Sequence, residues 1–307
     1  MTSKSIGIIG MGWVGSSVAI SILHQGLCRK LLVNDINKEL AVGEAMDLNH
    51  GSSFFPSTDI YAADIEDMLQ CDAIVITAGR GGNPGESRLD LLSENIRIVR
   101  DISCKLKGYK GLLIIVSNPV DVLTYYYQKY TGMAAQRVIG TGTMLDISRL
   151  REMIGKKLHI DPKAVHAQVI GEHGDSEVIL WSNVMIEGTP LRKWNSWKSS
   201  YEDEISDQLR MAAAEIIKRK GATNHAIGLV TATLLTFLLR DENRILTVSS
   251  VISNLYGIDR VALSLPSVIS SDGIREVLEI DISKKEYDKL HASVNILKKA
   301  IRSVGRL

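Results

Sequence analysis

Several things that would place the chain in a specialised class are scarce. Cysteine is limited to Cys28, Cys71 and Cys104, far apart and without a Cys-x-x-Cys pair. Neither a disulfide framework nor a cysteine zinc site is expected, and free thiols in a reducing compartment are. Six prolines in 307 residues, with no biased stretch and no internal repeat, exclude disordered, collagen-like and repeat architectures. Charge of one sign is equally scarce: 36 basic and 35 acidic residues leave +1, with no basic run. A nucleic-acid or anionic-membrane partner needs a concentrated positive field, so neither is expected. Apolar runs such as 112–116 are strand-sized, far below the roughly 20 residues that span a bilayer. The run after Lys4 meets a glycine at once, so no signal peptide is expected. These absences point to a soluble, cytoplasmic protein.

What is present is ordinary globular material, 45% hydrophobic and 23% charged, long enough for about two domains. Short apolar runs at 5–9, 31–34, 58–61, 73–77, 112–117 and 137–139 alternate with helical patterns at 15–25, 38–48, 89–106 and 120–130. The runs are apolar on successive residues, as parallel strands buried on both faces require. The expectation is an α/β fold: a Rossmann-type doubly wound parallel sheet over residues 1–141, then an α+β catalytic domain over 142–307. In the second half we expect a helix from Met144, a strand at 165–170, helices at 204–219 and 226–240, strands at 246–251 and 263–268, and a terminal helix at 284–304. No Pro- or Gly-rich linker separates the halves, which favours a tight interface holding a ligand.

Three stretches carry chemistry. Gly10-Met11-Gly12-Trp13-Val14-Gly15 follows the first strand and opens a helix, and Asp35 ends the second strand twenty residues past Gly15. Such glycines permit a tight turn, close approach of a pyrophosphate and close helix packing, while a carboxylate at that place accepts ribose hydroxyls and repels a 2′-phosphate. NAD is therefore expected over NADP; S-adenosylmethionine is the alternative ligand of such a loop. Second, His173 stands between two glycines in Ile170-Gly171-Glu172-His173-Gly174-Asp175-Ser176, where an imidazole suits proton transfer near neutral pH. Asp146 and Arg149, three apart at a helix start, share one face. Asp146 suits orientation of His173, and Arg149 suits a two-point grip on a carboxylate. Third, the glycine-rich loop 77–88 ends in Arg88, which closure would bring to a carbonyl oxygen. Read singly, each has an ordinary structural explanation: a glycine turn, a capped loop histidine, a local ion pair, a surface arginine. No His-Glu-x-x-His occurs, and no metal is expected.

Together these residues resemble the L-lactate/malate dehydrogenase family, more closely its L-lactate dehydrogenase branch, from Gly10 to at least Ile227. The resemblance implies an NAD-dependent oxidoreductase acting on a small 2-oxo or 2-hydroxy acid, with pyruvate and L-lactate the first candidates. It implies His173 as acid/base, Asp146 as its partner, Arg149 as carboxylate clamp and Arg88 as the loop arginine. It also implies Asn118 beside nicotinamide and substrate carbonyl, Thr223 in the substrate pocket, and Ile227 packing on nicotinamide. Further cofactor contacts are implied at Gly10, Gly12, Val14, Gly15, Asp35, Ala78, Gly79, Asn95 and Ser117.

One position departs from the pattern. Two residues before the loop proline, lactate dehydrogenases usually carry glutamine and malate dehydrogenases arginine; here Gly82 precedes Pro84. Without arginine a second substrate carboxylate lacks a partner, which disfavours malate. Without glutamine the pocket gains room, as in L-2-hydroxyisocaproate dehydrogenases. Arg80, two positions upstream, is an alternative partner. Arg151 and His166 resemble the anion site through which fructose 1,6-bisphosphate activates many bacterial lactate dehydrogenases. A homotetramer is implied, without the N-terminal arm that braces vertebrate enzymes. The competing readings are a methyltransferase, which gives no role to Asp146, Arg149 and His173; an NAD-dependent glycosidase, which resembles longer chains with metal ligands; and a non-catalytic nucleotide sensor, which needs no conjunction of Arg88, Arg149 and His173.

Overall fold

The strand-forming runs inside the sheet are apolar because both of their faces are covered, whereas the edge run Asp59–Ala62 buries Ile60 and leaves its neighbours exposed. In the strand Ala73–Ile76, Ile74 and Ile76 enter one apolar layer while Ala73 and Val75 enter the other. A computed structural model of the chain describes residues 4–81 and 88–304, without the side chain of Arg88. In chain order its first half runs β1 (Ser5–Ile9), α1 (Trp13–Gln25), β2 (Lys30–Asn34), α2 (Lys38–His50), β3 (Asp59–Ala62), β4 (Ala73–Ile76), α3 (Arg88–Lys105), β5 (Leu112–Ile115), α4 (Val120–Thr131) and β6 (Val138–Gly140). These six strands are parallel in the order β3-β2-β1-β4-β5-β6. The winding reverses between β1 and β4, and the crevice outside their carboxyl ends is where such sheets bind ligands.

The second half continues with α5 (Met144–Leu158), β7 (Val165–His166), β8 (Val169–Ile170), β9 (Val178–Ile179), β10 (Met185–Ile186), β11 (Thr189–Pro190), α6 (Ser200–Lys220), α7 (His225–Leu239), β12 (Ile245–Ile252), β13 (Val261–Ser270), β14 (Gly273–Val277) and α8 (Lys284–Val304). The expected division after residue 141 falls between β6 and α5, yet the sheet does not stop there. Ser249 of β12 pairs antiparallel with Gly140 of β6, and β13 and β14 complete a nine-stranded sheet.

Two local expectations need correction. The strand expected at 165–170 is two short strands in different sheets: β7 pairs with β10, and β8 pairs with β9. The break at Ala167 and Gln168 turns the chain from one to the other. β14 was not anticipated; it is an edge strand whose Arg275 and Glu276 are exposed, so it lacks the two-sided apolar pattern of its neighbours.

Cohesion between the halves is close-packed. Ile6 and Ile8 of β1 share an apolar cluster with Leu234 and Leu238 of α7 and Val248 of β12. A Cβ added at Gly228 of α7 would lie 2.6 Å from the Ser17 carbonyl oxygen of α1, so those helices touch backbone to backbone. A separate cluster, including Leu150, Ile154, Val169 and Leu209, joins α5 to α6 and β8. Among the described residues no helix is long and apolar enough to cross a membrane.

Candidate active site

The glycine loop after β1 is built around backbone contacts that side chains would obstruct. Gly10 holds φ +102°, and a Cβ there would lie 2.5 Å from the Ala78 nitrogen. A Cβ at Gly15 would lie 1.9 Å from the Gly10 carbonyl oxygen. Gly12 differs: nothing stands within 4 Å of its absent Cβ, which leaves room over the start of α1. That helix begins without a side-chain cap, so its first N–H groups and the positive end of its dipole are available to an anion. Asp35 closes the loop from the β2 side. Its Oδ2 accepts the Met11 N–H at 2.7 Å and its Oδ1 the Asn37 N–H at 2.9 Å. An open glycine, an uncapped helix start and a fixed carboxylate fit a dinucleotide with free ribose hydroxyls. Val14 and Ile227 are partly buried against the same apolar layer.

The loop after β4 is stitched to its neighbours before it leaves the sheet. The Ser117 hydroxyl donates to the Ala78 carbonyl at 2.6 Å. Asn95 of α3 accepts the Arg80 N–H at 2.8 Å and returns a hydrogen bond to the Arg80 carbonyl at 3.1 Å. Gly79 fits between, with Asn95 and Ser117 atoms 3.3 Å from its absent Cβ. Ala78, Gly79, Asn95 and Ser117 are thus one contiguous wall of the crevice. The Arg80 guanidinium pairs with Glu94 of α3, an engagement opposed to its serving as a substrate partner. Gly82 lies outside the described residues; Arg88 opens α3, and its side chain lies outside them too.

The histidine–aspartate–arginine cluster assembles from two distant stretches, the start of α5 and the loop after β8. His173 Nδ1 lies 2.5 Å from Asp146 Oδ2, and Arg149 Nη1 donates to Asp146 Oδ1 at 3.0 Å. Asp146 is almost wholly enclosed, with 4% of its side chain exposed, whereas His173 keeps 22% open. The arrangement is held from behind by Ser264 of β13. Its carbonyl accepts the Gly171 N–H and its N–H donates to the Gly171 carbonyl, each at 2.9 Å, while its hydroxyl accepts the Thr143 N–H at 3.1 Å. Thr143 in turn donates its hydroxyl to the Val169 carbonyl at 2.5 Å, tying the start of α5 to β8. Burial acts against the His173 proton, but the charge and hydrogen bond of Asp146, reinforced by Asp121 and Glu177, outweigh it and lift the imidazole to about 9.

Two carboxyl groups of this neighbourhood escaped the sequence reading. Asp121 of α4 accepts the His173 main-chain N–H at 2.7 Å on Oδ2 and the Ser249 hydroxyl at 2.6 Å on Oδ1. Burial pushes its carboxyl up to about 6 despite those two donors. A carboxylate inside the apolar run Val120–Leu123 was the available signal. Glu177 follows the histidine loop, and burial with the nearby Asp146 charge raises its carboxyl to about 8. Nothing in the sequence distinguishes it from a surface acid.

The remaining expected residues fall nearby or elsewhere. Asn118 directly follows Ser117, and its side-chain oxygen accepts the Val120 N–H at 3.2 Å. Thr223 precedes α7, beside Asn224, whose amide donates to the Ser17 hydroxyl at 2.8 Å. Arg151 and His166 do not join His173; they line a separate cavity of about 610 Å³ with Ser148, Gln168, Phe237 and Thr247. Arg151 Nε and Nη2 already donate to the Pro162 and Lys163 carbonyls, each at 3.0 Å. Among the described residues no group of three or more metal-ligating side chains occurs.

Known proteins match this architecture along the whole chain. Residues 4–140 match the lactate/malate dehydrogenase NAD binding domain, and residues 143–306 the lactate/malate dehydrogenase alpha/beta C-terminal domain. An L-lactate dehydrogenase of Clostridium perfringens is 42% identical over 303 residues, 96% of each chain. One from Fervidobacterium nodosum is 42% identical over 309 residues, 97% of this chain and 98% of the relative. In solved structures, a lactate dehydrogenase from a Medee basin deep-sea metagenome library superposes with a TM-score of 0.96 at 38% identity, covering 99% of this chain and 100% of that one. The minor L-lactate dehydrogenase of Enterococcus mundtii gives 0.96 at 36% identity, covering 99% of each. With both halves matched and a histidine–aspartate–arginine cluster beside a dinucleotide crevice, the chain belongs to the lactate/malate dehydrogenase family of NAD-dependent oxidoreductases.

Proposed function

We propose that the chain interconverts a 2-oxo acid and its L-2-hydroxy acid, with pyruvate and L-lactate as the pair. The observation that carries this reading is the His173–Asp146–Arg149 cluster, in which one buried carboxylate engages both an imidazole and a guanidinium. When bound, the nicotinamide supplies hydride to the substrate carbon or accepts it. His173, held at Nδ1 by Asp146, has Nε2 free to give a proton to the carbonyl oxygen in reduction and to remove it from the hydroxyl in oxidation. Asp146 stabilises the imidazolium and fixes its orientation. Arg149 spends one N–H on Asp146 and has others for the substrate carboxylate, paired in a geometry that lysine does not offer. Arg88 stabilises charge on the reacting oxygen, and Asn118 and Thr223 orient the substrate. Gly10, Gly12, Val14, Gly15, Asp35, Ala78, Gly79, Asn95, Ser117, Asn118 and Ile227 hold the cofactor.

Gly82 favours a second reading, in which side chains larger than methyl are accepted as in L-2-hydroxyisocaproate dehydrogenases. We further infer a cytoplasmic homotetramer regulated by fructose 1,6-bisphosphate at Arg151 and His166. The free state of all three cysteines supports the compartment, and the Arg151–His166 cavity supports the effector. Exposed Ile20 and Phe54 on the hollow against Phe55 support subunit contact. The test follows NADH absorbance with pyruvate, 2-oxoisocaproate and oxaloacetate, each with and without the bisphosphate. Highest kcat/KM with pyruvate, lowest with oxaloacetate and a response to bisphosphate are expected. Preference for oxaloacetate would overturn the substrate reading; preference for 2-oxoisocaproate would establish the wider pocket.

A further inference from the structure

Val178 pairs with Ile170, so residues 171–177 form the loop of a β-hairpin, with His173 near its centre and Glu177 at its base. The Glu177 N–H donates to the Gly174 carbonyl at 3.1 Å, which closes the loop. Its side-chain Oε1 is shut off from solvent and has no hydrogen-bond partner among the described residues. Buried polar atoms are nearly always partnered, so an orphaned carboxyl oxygen next to reacting groups needs a reason. The charged groups that act on it are Asp146 and Arg149 of α5, Arg210 of α6, and His173 of its own loop. Those facing His173 are Asp146, Asp121 of α4 and Glu177.

We propose that Glu177 is a positioning residue for proton transfer: it sets how tightly His173 holds its proton. The inference rests on the acid–base role given to His173 above. A carboxyl enclosed beside the Asp146 charge keeps its own proton in neutral solution, so the imidazolium is then held by the charges of Asp146 and Asp121 without that of Glu177. When Glu177 ionises, a further negative charge acts on the ring and the His173 proton is held more firmly. The carboxyl group acts as a reserve that extends the protonated state of His173 into alkaline solution. Burial and the Asp146 charge both push the Glu177 carboxyl up, which keeps its proton on in neutral solution as this role requires.

The test is a pH titration of the His173 ring by NMR in the full-length protein with carbon-13-labelled histidine, the signal assigned by its loss in His173→Asn. In wild type, the His173 signal should show a second, smaller inflection as Glu177 ionises. In Glu177→Gln that inflection disappears and the midpoint falls by about one unit, whereas Glu177→Asp keeps both features. The alkaline limb of kcat/KM for pyruvate reduction should move with the NMR midpoint. A folded Glu177→Gln whose midpoint moves less than about 0.2 unit overturns the proposal. If that variant does not fold, a wild-type signal with one inflection overturns it equally. A chain that reduces no 2-oxo acid would instead sink the function assigned above, a result independent of the ring titration.

Discussion

At the scale of single residues, the role proposed for His173 makes its proton affinity control the direction in which catalysis is favoured. In that role the ring gives up its proton in reduction, which should therefore require imidazolium and persist until the pH passes about 9. Oxidation requires the neutral ring and gains over the same window. kcat/KM measured in both directions from about pH 6 to 10 should therefore fall for reduction as it rises for oxidation. Limbs near 6.5, the value of an unperturbed imidazole, would show that Asp146 does not hold the proton. The sign for stability agrees: folding raises this group, so its contribution is complete below about 6.5 and is lost as pH climbs through about 9. His173, Asp146 and Arg149 were legible because glycines, a helix start and residue type mark them. Asp121 and Glu177 were not, because the enclosure that gives them significance comes from α4, α5 and α6 folding around them.

At the scale of elements, the glycine loop and the helices respond oppositely to the same chemical change. Gly10→Ala places a methyl group against the Ala78 backbone at a backbone angle unsuited to alanine. A loss of at least about 3 kcal/mol is expected. Gly43→Ala, within α2 where nothing lies within 4 Å, should instead stabilise by about 0.5–1 kcal/mol. Urea unfolding of both variants is the measurement, and equal signs would contradict the packing described for the loop. Legibility follows the same physics. β1, β2, β4 and β5 were readable because each is sandwiched between apolar layers, and α8 because its buried positions recur at helical spacing. β9, β10 and β11, two residues each, are too short to carry any periodicity. They exist because neighbouring backbone is there to pair with them.

At the scale of the whole molecule, two matched regions share one sheet and one apolar cluster. β12, β13 and β14 extend the sheet beyond β6, and the α1–α7 contact joins one half to the other. Calorimetry should give a single transition with equal van't Hoff and calorimetric enthalpies, and two resolved peaks would show that the halves unfold separately. The sequence showed where the pattern changes near residue 141, but not that later strands would rejoin the earlier sheet, since antiparallel pairing at one residue leaves no mark on either partner. Ser264 makes that union matter for chemistry. One residue of β13 clasps both the stretch bearing the imidazole and the helix bearing its carboxylate. The donor and its counter-ion are pinned to a common rivet, so warming cannot pull them out of step while that rivet holds; turnover and tertiary order should fail at the same temperature.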